Sequence, residues 1–174
     1  MIKKISMLLL LVTTALAVSL LASGCVIVSD KPLLKESKTA KVPNVSGAFK
    51  DEKGQTVVLA LKDGTTNTYT LTAPDKSQMT IYLEPLKTAD RYMFQMANPA
   101  GPEVLLGICQ IKDQIIEVRA LNLEQISDLS KKHGLAADKN SGKFTPDLKK
   151  LKQFFDAAFD SKYSYTLTEI KGGR

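Results

Sequence analysis

Tryptophan is absent from this chain, and histidine occurs once, at His133. A lone imidazole leaves no ligand-spaced histidine pair for zinc and only one such base to serve a hydroxyl nucleophile. No Gly-x-Ser-x-Gly elbow is present to present that nucleophile. Cysteine occurs twice, at Cys25 and Cys109, too few for a disulfide framework. After the first 24 residues no apolar run is long enough to cross a bilayer, which excludes a multi-span helical membrane protein. Internal repeats and low-complexity tracts are lacking too. Even so, with 44% hydrophobic and 24% charged residues among 174, the composition is that of a globular protein. Its stability has to come from an apolar core.

The most specific pattern lies at the N-terminus. Lys3 and Lys4 precede an uncharged stretch at residues 7–21, which ends in Ala22, Ser23 and Gly24. This is the three-part layout of a secretory signal. Its apolar run is shorter than the roughly 20 residues a spanning helix needs. Leu21-Ala22-Ser23-Gly24-Cys25 resembles the lipobox of bacterial lipoproteins, with Ala22 standing where leucine is usual. The resemblance covers residues 1–26. It implies cleavage before Cys25, a thioether-linked diacylglycerol on the Cys25 sulfur and an acylated amino group. A two- or three-chain anchor is permanent where one chain is marginal, at roughly 0.8 kcal/mol per buried CH2. In Gram-negative members of that family an aspartate after the cysteine favours the inner membrane. Val26 occupies the position here, which implies the outer membrane and a domain facing the periplasm.

Three segments follow from this reading: a signal peptide at residues 1–24, a lipidated cysteine with a flexible tether at residues 25–44, and one β-rich domain at residues 45–174. About 150 residues remain after cleavage, enough to bury some 68–70% of the unfolded surface in a single core. The stretch after Ser29 is polar, lysine-rich and bracketed by Pro32 and Pro43, the composition of a linker. The formal charge of +6 sits mostly in leader and tether, and residues 45–174 are close to balanced. Nucleic acid is therefore not an expected partner. Lys149, Lys150 and Lys152 form the only local basic cluster, read as a solvated helix face.

From Gly47 the hydrophobic period is two. A segment from Gly47 and residues 55–61, 67–72, 79–83, 91–96, 103–111 and 114–121 read as seven strands with short turns, among them Asp63-Gly64 and Lys112-Asp113; residues 103–111 depart from the alternation, being apolar on both faces, which marks a strand covered on both sides. The period then lengthens to that of helices. Asn122 caps one with Leu123, Ile126 and Leu129 in a stripe and Gly134 at its stop. Thr145-Pro146-Asp147 opens a second, whose Leu148, Leu151, Phe154, Phe155, Ala158 and Phe159 form a wide apolar stripe. Residues 163–170 alternate again as an eighth strand. The expected class is α+β, mainly β: an antiparallel meander of about eight strands, a curved sheet or small barrel, with two helices before the last strand. Such a meander, together with Ser46-Gly47-Ala48-Phe49, resembles the lipocalin-like barrels, which implies a concave apolar interior.

Candidates for chemistry are few. His133 reads as a terminal cation on the first helix. Asp138-Lys139-Asn140-Ser141-Gly142 begins like a calcium loop, but Gly142 falls one place early and Lys149 replaces the bidentate acid. Cys109, among Leu105, Leu106, Ile108 and Ile111, reads as a buried inert thiol. Glu84 and Asp90 are the carboxylates weighed for acid–base work. Tyr69, Tyr82, Tyr92, Phe94, Tyr163 and Tyr165 read as core, with a ligand pocket as the alternative. No catalytic, metal or cofactor residue is expected, and Cys25 is the one assigned site. The expected function is that of a non-catalytic envelope lipoprotein, membrane-bound through Cys25, whose domain binds an envelope protein or component. The alternative is a lipocalin-like carrier of a small apolar ligand.

Overall fold

The computed structural model describes residues 27–29, 31–50, 54–97, 104–113, 115–120, 131–135, 147–159 and 163–169, with backbone alone at 27–28, 120 and 163–169. It is a mainly β antiparallel meander with one helix: β1 (Ile27–Ser29), β2 (Gly47–Lys50), β3 (Thr56–Leu61), β4 (Thr68–Thr72), β5 (Gln78–Pro85), β6 (Arg91–Ala97), β7 (Val104–Lys112), β8 (Ile115–Ala120), α1 (Leu148–Ala158) and β9 (Tyr163–Glu169). β2 to β8 pair in chain order, each antiparallel to the next. β9 then pairs with β8 and, through Phe49 and Lys50, with β2. The sheet thus curls until the pairings from β2 to β9 complete a circuit.

Alternation divides each strand between the two faces of the sheet. Phe49, Val57, Leu59, Tyr69, Leu71, Leu83, Tyr92, Phe94, Cys109, Ile111 and Ile116 gather on the concave side as one cluster. The opposite residues of β6 and β7, namely Met93, Val104, Leu106 and Ile108, form a second core beneath α1. Gly107 sits opposite Phe94 in the β6–β7 register. A Cβ there would lie 2.4 Å from the Phe94 ring, so the absent side chain is what admits the ring.

Helix α1 starts where its cap allows. The Asp147 carboxylate accepts from the amides of Lys149 (3.0 Å) and Lys150 (3.3 Å), satisfying two of the first-turn donors. Thr145 and Pro146, where the sequence pattern puts the start, lie outside the described residues. Leu151, Phe154, Phe155 and Ala158 form its buried face, and Phe159 follows at 4% exposure. The C-terminal end carries no cation of its own. The Arg91 guanidinium supplies one from β6, donating to the Asp156 carbonyl at 3.2 Å and lying 4.0 Å from the Phe159 ring centroid. Arg119 of β8 is 5.1 Å from the same ring. Lys152 donates to Glu84 of β5 at 2.7 Å.

Of the two helices expected before the last strand, the described residues contain one. The helix expected from Asn122 falls mainly outside them. Only its end is described, where Lys131 and Lys132 are helical and Gly134 takes φ +61°, the left-handed stop the sequence anticipates.

The larger difference lies before β2, where a flexible tether is expected. Residues 27–29 form β1, with Ile27, Val28 and Ser29 opposite Leu106, Leu105 and Val104. The following segment crosses the outer face as a strap. The Gln95 Oε1 accepts from the amides of Leu33 (2.6 Å) and Leu34 (2.9 Å), and its Nε2 donates to the Leu34 carbonyl (3.3 Å). Asn67 repeats the arrangement, accepting from Ser37 N at 2.8 Å and donating to Lys35 O at 3.0 Å. Leu34 and Val45 are buried, and the Tyr69 hydroxyl donates to the Pro43 carbonyl at 2.9 Å. A polar composition reads as a linker, but buried side-chain amides on the sheet supply the partners its backbone needs.

Phe155→Ala should lower the unfolding free energy by about 3–5 kcal/mol, because its ring is fully buried under α1. Denaturant titration measures the loss. Gln95→Leu would leave the buried amide of Leu34 and the partly buried amide of Leu33 without an acceptor, costing about 1–3 kcal/mol for the buried one. Tryptic cleavage after Lys35 and Lys38 should then precede global unfolding, which limited proteolysis followed by mass spectrometry would show.

Candidate functional site

Three surfaces compete as the site: the concave interior, the mouth of the curled sheet and its convex wall. The interior holds side chains of the protein itself, including Phe49 and Tyr69, which are 0% and 1% exposed. Cys109 lies there as well. Burial pushes its thiol up to about 12, so it stays protonated and inert near neutrality. Tyr69 and Tyr92 are raised by burial too, and the neighbouring Asp90 and Cys109 add to the effect at Tyr92.

At the mouth, where β6 begins and β7 ends, an open cleft of about 370 Å3 is lined by Pro43, Asn44, Val45, Asp90, Tyr92, Ile111, Lys112 and Asp113. The strap stoppers this end through Val45 and the Pro43–Tyr69 bond. Asp90 and Asp113 take φ of +61° and +51°, left-handed positions that suit short polar side chains in tight turns.

The convex wall differs between its two halves. Over β6 and β7 it is covered by α1 and the strap. Over β2 to β5 it is open, and the register sets Ala48, Val58, Thr72 and Gln78 in one row across the strands. Ala60, Thr70 and Thr80 form the next row. None of these seven carries a charge, in a chain where 24% of residues do. Val58 is 42% exposed, the largest exposure among the buried-type side chains described. Every strand of the circuit is paired on both sides, so this wall presents a face and no free strand edge.

The residues singled out from sequence scatter over the fold. Cys25 lies outside the described residues, as does the loop at residues 138–142. Glu84 is committed to Lys152, while Asp90 is exposed at the mouth, so the two carboxylates do not form an acid–base pair. His133 follows the helix end, and its Nε2 is buried without a hydrogen-bond partner among the described residues. Tyr82 points outward beneath the strap rather than inward with Tyr69, Tyr92 and Phe94. Tyr163 and Tyr165 pair with Ala120 and Val118. Lys149 and Lys150 are solvent-exposed on the first turn of α1. Among the described residues no group of three or more His, Cys, Asp or Glu is arranged to hold a metal, and no helix is long and apolar enough to cross a membrane. What sequence reasoning missed is the strap, whose only signal is the apolar pair Leu33-Leu34 inside a polar stretch.

The folded thiol titrates above its ordinary value near 9, so the stability it supports is complete below that pH and lost as pH climbs towards 12. Between pH 8 and pH 11 the wild type should therefore lose about 2–3 kcal/mol more than Cys109→Ala, measured by urea unfolding at both pH values. Comparison with protein-family models, with characterised proteins and with solved structures finds no match to this chain.

Proposed function

We propose that this chain is an envelope lipoprotein, anchored through acylated Cys25 in the outer membrane and facing the periplasm, whose domain acts by binding a protein partner on its convex wall. The observation that carries the reading is the contrast between the two sides of the sheet. The concave side is occupied by the protein's own buried side chains, whereas the two central rows of the β2–β5 wall are uncharged and made of threonine, glutamine and small apolar residues, with Lys50 and Glu84 at the margins. An uncharged surface repels neither sign of partner and is cheap to desolvate, which favours a neutral protein surface over lipid head groups or nucleic acid. Catalysis has no support in the side chains brought together: the one imidazole, the protonated thiol and the two carboxylates lie apart.

The second reading, a small barrel carrying an apolar ligand as lipocalin-like proteins do, draws on the mouth cleft. A ligand entering there would have to displace Val45 and break the Pro43–Tyr69 bond. That cost favours the surface reading.

Metabolic labelling with a fatty-acid analogue should mark the wild type and not Cys25→Ala; equal labelling of both sinks the anchor. A stoichiometric protein should be recovered from solubilised envelope, and Val58→Lys combined with Thr70→Lys should weaken that recovery at least about tenfold, about 1.4 kcal/mol. Undiminished recovery moves the partner to another surface. If His133→Ala, Glu84→Ala or Asp90→Ala abolishes complementation while fold and recovery persist, the non-catalytic reading fails.

A further inference from the structure

We infer that the anchor holds the domain flush against the bilayer on the flank where β1 and β8 meet β7, with the open β3 wall turned away from the lipid. The inference rests on the lipoprotein reading and adds the orientation it imposes.

The spacing is the first argument. β1 begins at Ile27, so Val26 alone separates Cys25 from the sheet. Two residue steps reach at most ~7 Å. A flexible tether of 20 residues would average about 25 Å. A lipid on Cys25 therefore keeps the β7 flank at the interface.

The register sets where the chain leaves. Ile27 pairs with Leu106, while β8 takes the same edge of β7 from Ile108, opposite Arg119. The segment before Ile27 cannot continue along that edge, because β8 occupies it. An anchor on Cys25 would therefore meet the domain on the β7 edge where β1 and β8 approach each other. The mouth cleft is elsewhere, at Asp90 and Asp113, where β6 begins and β7 ends.

The circuit then decides what faces away. From β7 to β3 is four strand steps in either direction, so Val58 and Ala60 stand on the opposite side. Charge agrees with this assignment. On the β7 side Lys31, Lys149 and Lys150 are exposed, with Asp147 occupied in capping α1, and cations near an anionic leaflet are attracted to it. The β3 wall has none in its two central rows; its cations are Lys50 at the margin, opposite Thr56, and Lys62, which is paired with Glu36.

The test uses the full acylated protein in vesicles of phosphatidylethanolamine and phosphatidylglycerol containing a head-group nitroxide lipid. Fluorescent probes are placed singly by Lys31→Cys, Val58→Cys and Ala60→Cys. Cys25 is blocked by its thioether and Cys109 is buried, so neither competes for the label. The probe at position 31 should be quenched at least about twofold more than those at 58 and 60, since it lies within six residues of the anchor. A flexible 20-residue spacer inserted between Val26 and Ile27 should erase the difference. Equal quenching in the acylated protein without the spacer, or stronger quenching at 58, overturns the orientation and leaves the anchor standing. Absence of the diacylglycerol mass on Cys25 overturns both.

Discussion

The carboxamides of Gln95 and Asn67 decide how the first part of this chain behaves. A buried backbone must have its amides and carbonyls bonded, and the strap has no neighbouring strand to do so. Gln95, itself 2% exposed, accepts two amides and donates to one carbonyl; Asn67 binds the next turn of the strap in the same way. Each side chain thus acts as a fragment of strand. Leu34 is buried as a result, Pro43 is brought to the Tyr69 hydroxyl, and Val45 closes the mouth just before β2 begins. Without those two amides the same residues would be a solvated linker.

The interior makes a complementary demand. Curling the sheet brings Phe94 over β7, and Gly107 is the one position where β7 offers no Cβ to meet it. The ring covers the exposed glycine backbone while the glycine makes room for the ring, a pairing known to repair glycine in sheets. Packing of this kind fills the concave side with fixed side chains and lifts the Cys109 thiol out of its reactive range. What the fold leaves exposed is therefore the outer side of the sheet, not the inner one.

Much of this architecture is legible in the residue pattern because period two is written by the core itself. Val57, Leu59 and Leu61 alternate because one face of β3 is buried, while β6 and β7 are buried on both faces and β7 accordingly shows a continuous apolar run. The helix stripe at Leu151, Phe154, Phe155 and Ala158 is equally plain. The strap and β1 are not legible, because side-chain amides bonding an irregular backbone leave no period, and Lys31, Lys35, Lys38 and Lys41 read as solvent-exposed linker. The convex wall escapes for a different reason. Alternation marks Val58 and Thr70 as opposite the core, yet it does not say which outward residues α1 and the strap will cover. That depends on which strands they cross.

The two halves of the wall are therefore unequal by construction. Arg91 and Arg119 clasp Phe159 at the negative end of α1 and Lys152 holds its flank to Glu84, so one half is sealed by a helix that the sheet itself electrostatically completes. The other half is left largely open, with two uncharged rows at its centre. In an open sheet such a surface would invite strand-to-strand aggregation, since hydrophobic faces and unpaired edges act together. Here β2 to β9 leave no edge, and the free edge of β1 is only three residues long. The seam between β2 and β9, two residue pairs in extent, is the shortest link in that protection. Closing the circuit is what lets the apolar and threonine rows of that wall stand exposed with no unpaired strand edge beside them, and it leaves side chains, not backbone groups, as what the wall presents.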